Sequence, residues 1–93
     1  MNPDVEPPHR LLLYMRRNCH MCEDMVEQLE ELQVTHRFSI EQRDVDKNLL
    51  WKKEYGDRVP VLVSGQTVIC HYYLDRKSLL DVIEKSIPVQ KKK

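Results

Sequence analysis

Cys19 and Cys22, with two residues between them in the stretch LLLYMRRNCHMCEDM, are the side chains best equipped for chemistry in this chain. Thiols at that spacing can exchange electrons through one disulfide, hold a metal, or staple a short loop. His20 stands between them, Arg16 and Arg17 lie just upstream, and a third cysteine, Cys70, is followed by His71.

The residues behind the pair separate the roles of the two sulfurs. Cys22, Met25, Val26, Leu29 and Leu32 recur at helical spacing in CEDMVEQLEELQ, with Glu and Gln on the other face. If Cys22 lies in the first turn of that helix, Cys19 lies at its start. Backbone N–H groups are unpaired there, and the helix presents its positive end. A thiolate at Cys19 is favoured by both, which makes Cys19 the expected nucleophile. Cys22 belongs to the apolar stripe and is the expected sheltered thiol that resolves a mixed disulfide. A protonated His20 would favour the thiolate further, although the helix dipole opposes that protonation. Arg16 and Arg17 either attract an anionic thiol substrate or simply solvate the end of a strand.

Three other readings remain open at this point. A purely structural bridge across so short a loop constrains the unfolded chain little. A zinc or iron-sulfur centre is the second; tetrahedral zinc asks for about four donors, whereas Cys19, Cys22 and His20 have only the distant Cys70 and His71 to add, and an iron-sulfur cluster shared between two subunits would meet that need differently. A non-catalytic binding module would display Trp51, Tyr55, Tyr72 and Tyr73, since aromatics anchor interfaces. Cys70 itself reads as a small buried strand residue, and His9 and His36 receive no role.

The elements that must position the pair follow from periodicity and punctuation. LLLYM, Leu11 to Met15, is a short apolar run of the kind found in a strand covered on both faces. Between Val34 and Val45 a second strand places Phe38 and Ile40 on one face, with Thr35, Arg37, Ser39 and Glu41 on the other. Asp46 is the expected cap of a short helix, KNLLWKKEY, with Leu49, Leu50 and Trp51 as its buried stripe and Gly56 as its end. Pro60 stands at the start of a strand from Val61 to Val63, because it cannot donate a ladder hydrogen bond. Ser64-Gly65-Gln66 turns the chain into a strand from Thr67 to His71, forming a hairpin. Asp75 caps a last helix with Leu79, Leu80, Ile83 and Ile87 on one side and Pro88 as its stop.

A chain of 93 residues has room for one such domain. Residues 1–9, with three of the five prolines, are expected to be a flexible leader; residues 10–88 form the domain, and 89–93 a basic flexible tail. Fifteen Lys and Arg balance fifteen Asp and Glu, which removes the electrostatic case for a nucleic-acid or anionic-membrane partner. No window has the length of a membrane span, and LLLYM lacks the flanks of a signal peptide, so the expected location is cytoplasmic. An odd number of cysteines fits a secreted disulfide scaffold poorly.

LLLYMRRNCHMCEDM, RDVD and YGDRVPVLVSGQTV, in that order and followed by an amphipathic helix, resemble the short glutaredoxin-like proteins of the thioredoxin-fold superfamily. The resemblance covers Arg10 to Ile87. It implies a three-layer α/β/α fold of glutaredoxin type, with a four-stranded mixed sheet, about three helices and the order β-α-β-α-β-β-α. It implies dithiol–disulfide oxidoreductase activity at Cys19 and Cys22, and it assigns Val59-Pro60 to a cis-proline turn whose Val59 backbone pairs with a bound thiol substrate. Arg16 matches a basic residue used for a glutathione carboxylate, and Arg58 is a second candidate. The implied partners are a disulfide-containing protein or a low-molecular-weight thiol, with glutathione as a candidate co-substrate and a glutathione or thioredoxin-reductase system as electron donor. No bound cofactor is implied.

The chain also departs from the family pattern. His20 and Met21 stand where classical members carry a proline and an aromatic, and Arg58 replaces a threonine. Ile69-Cys70-His71-Tyr72-Tyr73 runs where a glycine pair and acidic residues would hold glutathione. Side chains now occupy space that glycines leave open to a ligand backbone. General dithiol chemistry survives these replacements better than glutathione specificity does.

Overall fold

The computed structural model describes residues 9–85. Its elements are β1 (Arg10–Met15), α1 (His20–Gln33), β2 (Ser39–Asp44), α2 (Leu49–Tyr55), β3 (Val61–Ser64), β4 (Thr67–His71) and α3 (Arg76–Lys85), with a 3-10 turn over Val45–Lys47. The element order is the one the sequence implies. The sheet runs β2-β1-β3-β4, with β1 parallel to β2 and antiparallel to β3, and β3 antiparallel to β4. A parallel neighbour requires a long crossover, and α1 supplies it.

The central strands are buried on both faces, and successive side chains pack alternately into two cores. Leu11, Leu13 and Leu62 pack with Met25 and Leu29 of α1 and with Leu79 and Ile83 of α3. Tyr14, Val61 and Val63 pack on the opposite side with Val45 and Val59, joined by the half-buried Trp51 and Tyr55 of α2. This is the three-layer arrangement: α1 and α3 over one face, α2 over the other. Phe38 and Ile40 do share the α1 side, as expected, although β2 begins one residue after Phe38.

Local chemistry corrects several expectations. Asp46 does not cap α2. Asn48 does, its Oδ1 accepting from Leu50 N at 2.9 Å and Trp51 N at 3.1 Å, while Asp44 caps the preceding 3-10 turn through Asp46 N at 2.9 Å. Leu49 and Leu50 are not a buried stripe; they are 85% and 77% exposed, and α2 meets the sheet through Trp51 and Tyr55 instead. A seven-residue helix has too few turns to bury the Leu49–Leu50 side and the Trp51–Tyr55 side at once. Gly56 ends α2 in the right-handed region, and its lack of a side chain matters because a Cβ would collide with the Lys52 carbonyl. In the β3–β4 hairpin Ser64 pairs with Thr67 and Gly65 has φ 61°, a positive angle at the first central position that marks a type II′ pattern.

His9 is not part of a loose leader. It is buried, its Nε2 lies 3.1 Å from the Ile83 carbonyl, and its own carbonyl accepts from Ser39 N at 2.9 Å. A carbonyl only accepts, so this contact puts the proton on Nε2. His9 therefore ties the start of β1 to α3 and β2. Asp75 caps α3 as expected, its Oδ1 accepting from Ser78 N at 3.1 Å. Leu79 and Ile83 are buried as the stripe requires. Residues 1–8, Ile87, Pro88 and the basic ending lie outside the described residues.

The buried and exposed leucines differ measurably. Leu62→Ala removes a fully buried side chain from the central sheet and is expected to cost about 2–5 kcal/mol in denaturant unfolding. Leu50→Ala should stay within about 0.5 kcal/mol of the parent. Equal losses at the two positions would contradict the packing described.

A candidate dithiol site at the head of α1

β1 ends at Met15, and the chain crosses Arg16, Arg17 and Asn18 before α1 begins. Asn18 takes φ 56°, the left-handed region that Asn enters more readily than most residues. That reversal delivers Cys19 to the cap position of α1 with an extended backbone, φ −111° and ψ 106°. Its Sγ accepts from Cys22 N at 3.2 Å, and its carbonyl accepts from Glu23 N at 3.0 Å. Sulfur thus occupies the place that a Ser or Asp oxygen fills at an ordinary helix start.

Cys19 and Cys22 are joined by a disulfide, with Cα atoms 5.1 Å apart. Cys22 is 2% exposed and packs with Val59, Tyr14 and Val61, whereas Cys19 is only partly covered. The arrangement can open and close one sulfur–sulfur bond with a single sulfur facing outward, and its chemistry is dithiol–disulfide exchange. Val59 and Pro60 are both buried, their peptide bond is cis, and Val59 belongs to the same apolar cluster as the cysteines. His20 is the exposed first residue of α1.

The two arginines have local partners. Arg16 reaches Asp46 with Nε at 2.9 Å and with its second terminal nitrogen at 3.3 Å, and it donates to the Gly56 carbonyl at 3.0 Å. It still lines, with Arg17 and Cys22, an open cleft of about 500 Å³ that runs along α1 beside Glu23 and Glu27. Arg58 is drawn to the C-terminal end of α2, where it donates to the Glu54 carbonyl and sits 3.5 Å from Asp57. Arg16 therefore lines the cleft with Cys22, and Arg58 is held at the end of α2.

Cys70 remains a free thiol in β4, and burial pushes its pKa up, which fits an unreactive strand cysteine. Among the described residues no group of three His, Cys, Asp or Glu side chains comes together in a metal-binding arrangement. No helix among them is long and apolar enough to cross a membrane. Sequence reasoning missed Asp46 and Gly56 as the partners of Arg16; both lie about 30 to 40 positions away, and only the closing of the fold brings them near.

The Arg16 guanidinium, with smaller help from Lys52, holds the Asp46 carboxyl below its ordinary range. A carboxyl depressed on folding contributes stability that is present above the unfolded value, about 3.9, and lost as pH falls through the folded one. Asp46→Asn should therefore lower the thermal midpoint at neutral pH, and the gap from the parent should close under acid conditions. A gap independent of pH would show that the pair does not carry this coupling.

The comparisons agree with this geometry. No curated protein matches the sequence significantly. A protein of Nitrosomonas europaea solved by solution NMR is 38% identical, with 89% of this chain and 99% of that one aligned and a TM-score of 0.76. A protein of X. campestris solved by X-ray methods is 28% identical over 81% of this chain and 96% of its own, with a TM-score of 0.63. A mutant thioredoxin from Halobacterium salinarum, 23% identical over 91% of this chain and 80% of its own, shares the fold with a TM-score of 0.60. The sequence profile of the glutaredoxin-like domain (DUF836) matches residues 10–84. With the cysteine pair at the head of α1 and a profile spanning nearly all the described residues, the chain belongs to the glutaredoxin-like domain family.

Proposed function

We propose that Cys19 is the attacking thiolate and Cys22 the resolving thiol of a dithiol–disulfide oxidoreductase. The observation that carries the assignment is the contrast between them: Cys19 Sγ accepts a helix N–H and is partly accessible, while Cys22 is 2% exposed. In the reduced pair the same N–H and the helix dipole favour an anion at Cys19. That thiolate attacks one sulfur of a substrate disulfide, forms a mixed disulfide and releases the other sulfur as a thiol. Cys22 then gives up its proton and attacks Cys19 Sγ, the substrate leaves as its second thiol, and the intramolecular disulfide closes. Two electrons pass to the substrate. The same steps run backwards when the potentials are reversed.

The substrates in this reading are disulfides of proteins or of low-molecular-weight thiols, and the Val59 backbone ahead of β3 is the segment that an extended substrate lies against. Arg16, Val59 and Pro60 are its flanks; Arg58 contributes through the end of α2. Resetting the pair requires a thiol donor, either glutathione or a thioredoxin-reductase system. The cytoplasm, where such donors keep thiols reduced, is the compartment that suits this cycle.

Cys19→Ser should abolish both turnover and substrate capture, while Cys22→Ser should accumulate the mixed disulfide. Stopped-flow alkylation of the reduced protein supplies an independent check, because equal reactivity of the two sulfurs is incompatible with this division.

His20 is proposed to tune the pair. Its imidazolium would stabilise the Cys19 thiolate and hence the reduced form. Redox titration of His20→Ala should give a more reducing potential than the parent; an unchanged value removes His20 from the site.

A further inference from the structure

Of the five aromatic side chains outside the β1 strand, Phe38 is buried in the core and the fold divides the other four. Trp51 and Tyr55 are used internally: their rings meet Tyr14 at centroid distances of 5.8 and 4.2 Å. Tyr72 and Tyr73, just after β4, are exposed, Tyr73 by 74%. Together with Met21, Met25 and Leu74 they wall a hollow of about 270 Å³. Met21 and Met25 belong to α1, so this hollow lies along the first turns of the helix that Cys19 caps.

Tyr72 is held there against its backbone preference. Its φ is 66°, a left-handed conformation that costs a residue with a side chain about 1–2 kcal/mol. Two hydrogen bonds keep it in place: Tyr72 N donates to the Pro60 carbonyl and Tyr72 Oη to the Asp57 carbonyl, each at 2.9 Å. The His71 ring stands against it edge-on at 4.9 Å. A glycine would take this conformation without strain, so the tyrosine is retained against a local cost, as happens where a side chain serves recognition. The hollow is also selective by charge. Asp24 is the one charged side chain on its wall, which opposes a ligand bearing carboxylates, and Gln28 is its one amide beside five apolar or aromatic side chains.

Building on the dithiol reading, we infer that Tyr72, Tyr73 and Met21 are specificity determinants for protein disulfides. Their hollow takes an apolar side chain flanking the cysteine that Cys19 attacks, and it discriminates against the doubly carboxylated glutathione. The reaction is the exchange already written: the substrate disulfide receives two electrons and the Cys19-Cys22 disulfide forms. Tyr72 thus couples recognition to the turn that carries Pro60, because one backbone bond joins them.

The test uses full-length protein, reduced and freed of reductant, in single-turnover reactions with three synthetic substrates. Two are peptide disulfides with leucine or glycine beside the reacting cysteine, and the third is the glycine peptide joined to glutathione. Burying one leucine side chain is worth a preference of about tenfold or more for the leucine peptide over the other two. Tyr73→Ala and Tyr72→Gly should each bring the leucine-to-glycine ratio down to about twofold or less, a residual preference of less than about half a kcal/mol. Tyr72→Gly should also keep or raise the thermal midpoint, which separates lost recognition from lost folding. If Tyr72→Gly fails to fold, the Tyr73→Ala ratio decides. A parent protein that reduces all three substrates at equal rates overturns the specificity inference and leaves the redox reading intact. Variants that keep the preference overturn the assignment to these tyrosines. A parent protein that reduces none of them, nor hydroxyethyl disulfide, overturns both readings.

Discussion

The first turn of α1 begins on a sulfur. Cys19 stands where a helix requires an acceptor for its unpaired N–H groups, and its Sγ meets Cys22 N at 3.2 Å. That one contact joins fold and chemistry, since the group that starts the helix is also the group that reacts. Everything upstream serves to bring Cys19 to this position. β1 is covered on both faces, with Leu11 and Leu13 toward α1 and α3 and Tyr14 toward α2, so its C-terminal end is held rigidly. Asn18, with φ 56°, then turns the chain sharply enough for the sulfur to face the helix end.

A rigid strand end would matter little if the loops around it moved independently. Arg16 binds Asp46 in the segment after β2 and the Gly56 carbonyl at the end of α2, so the link from β1 to α1 is fastened to two others. The exposed part of this network is worth little as stability. Its geometric effect is larger, because a guanidinium presents donors in a fixed plane and can serve several acceptors at once. On the far side His9 performs a related task, joining the start of β1 to α3 through the Ile83 carbonyl and to β2 through Ser39.

Aromatic residues show how neighbouring sequence positions acquire different duties. Tyr14 forms the centre of a cluster with Trp51 and Tyr55, and Arg43 lies over the Tyr14 and Trp51 rings at 5.8 and 5.1 Å. These rings replace the leucine stripe that α2 leaves facing water. Tyr72 and Tyr73 stay outside that cluster, exposed just after β4, where they wall a hollow with Met21 and Met25 of α1.

Periodicity and punctuation were sufficient for the order of elements, the two-sided burial of LLLYM, the helix behind the cysteines and the cap at Asp75. Each of these depends on residues close together along the chain. The placement of Cys19 at the cap and Cys22 in the first turn was legible for the same reason, since the two are only three positions apart. The identity of the α2 cap was not, because Asp44, Asp46 and Asn48 are all competent and only the path of the 3-10 turn selects among them. Exposure of Leu49 and Leu50, burial of His9, the Asp46 and Gly56 partners of Arg16 and the turning of Arg58 to Glu54 were decided by tertiary structure. In each case side chains competed for a limited surface or a limited set of partners. Spacing along a chain names the competitors, and the closed sheet with its helices determines which of them are near enough to win.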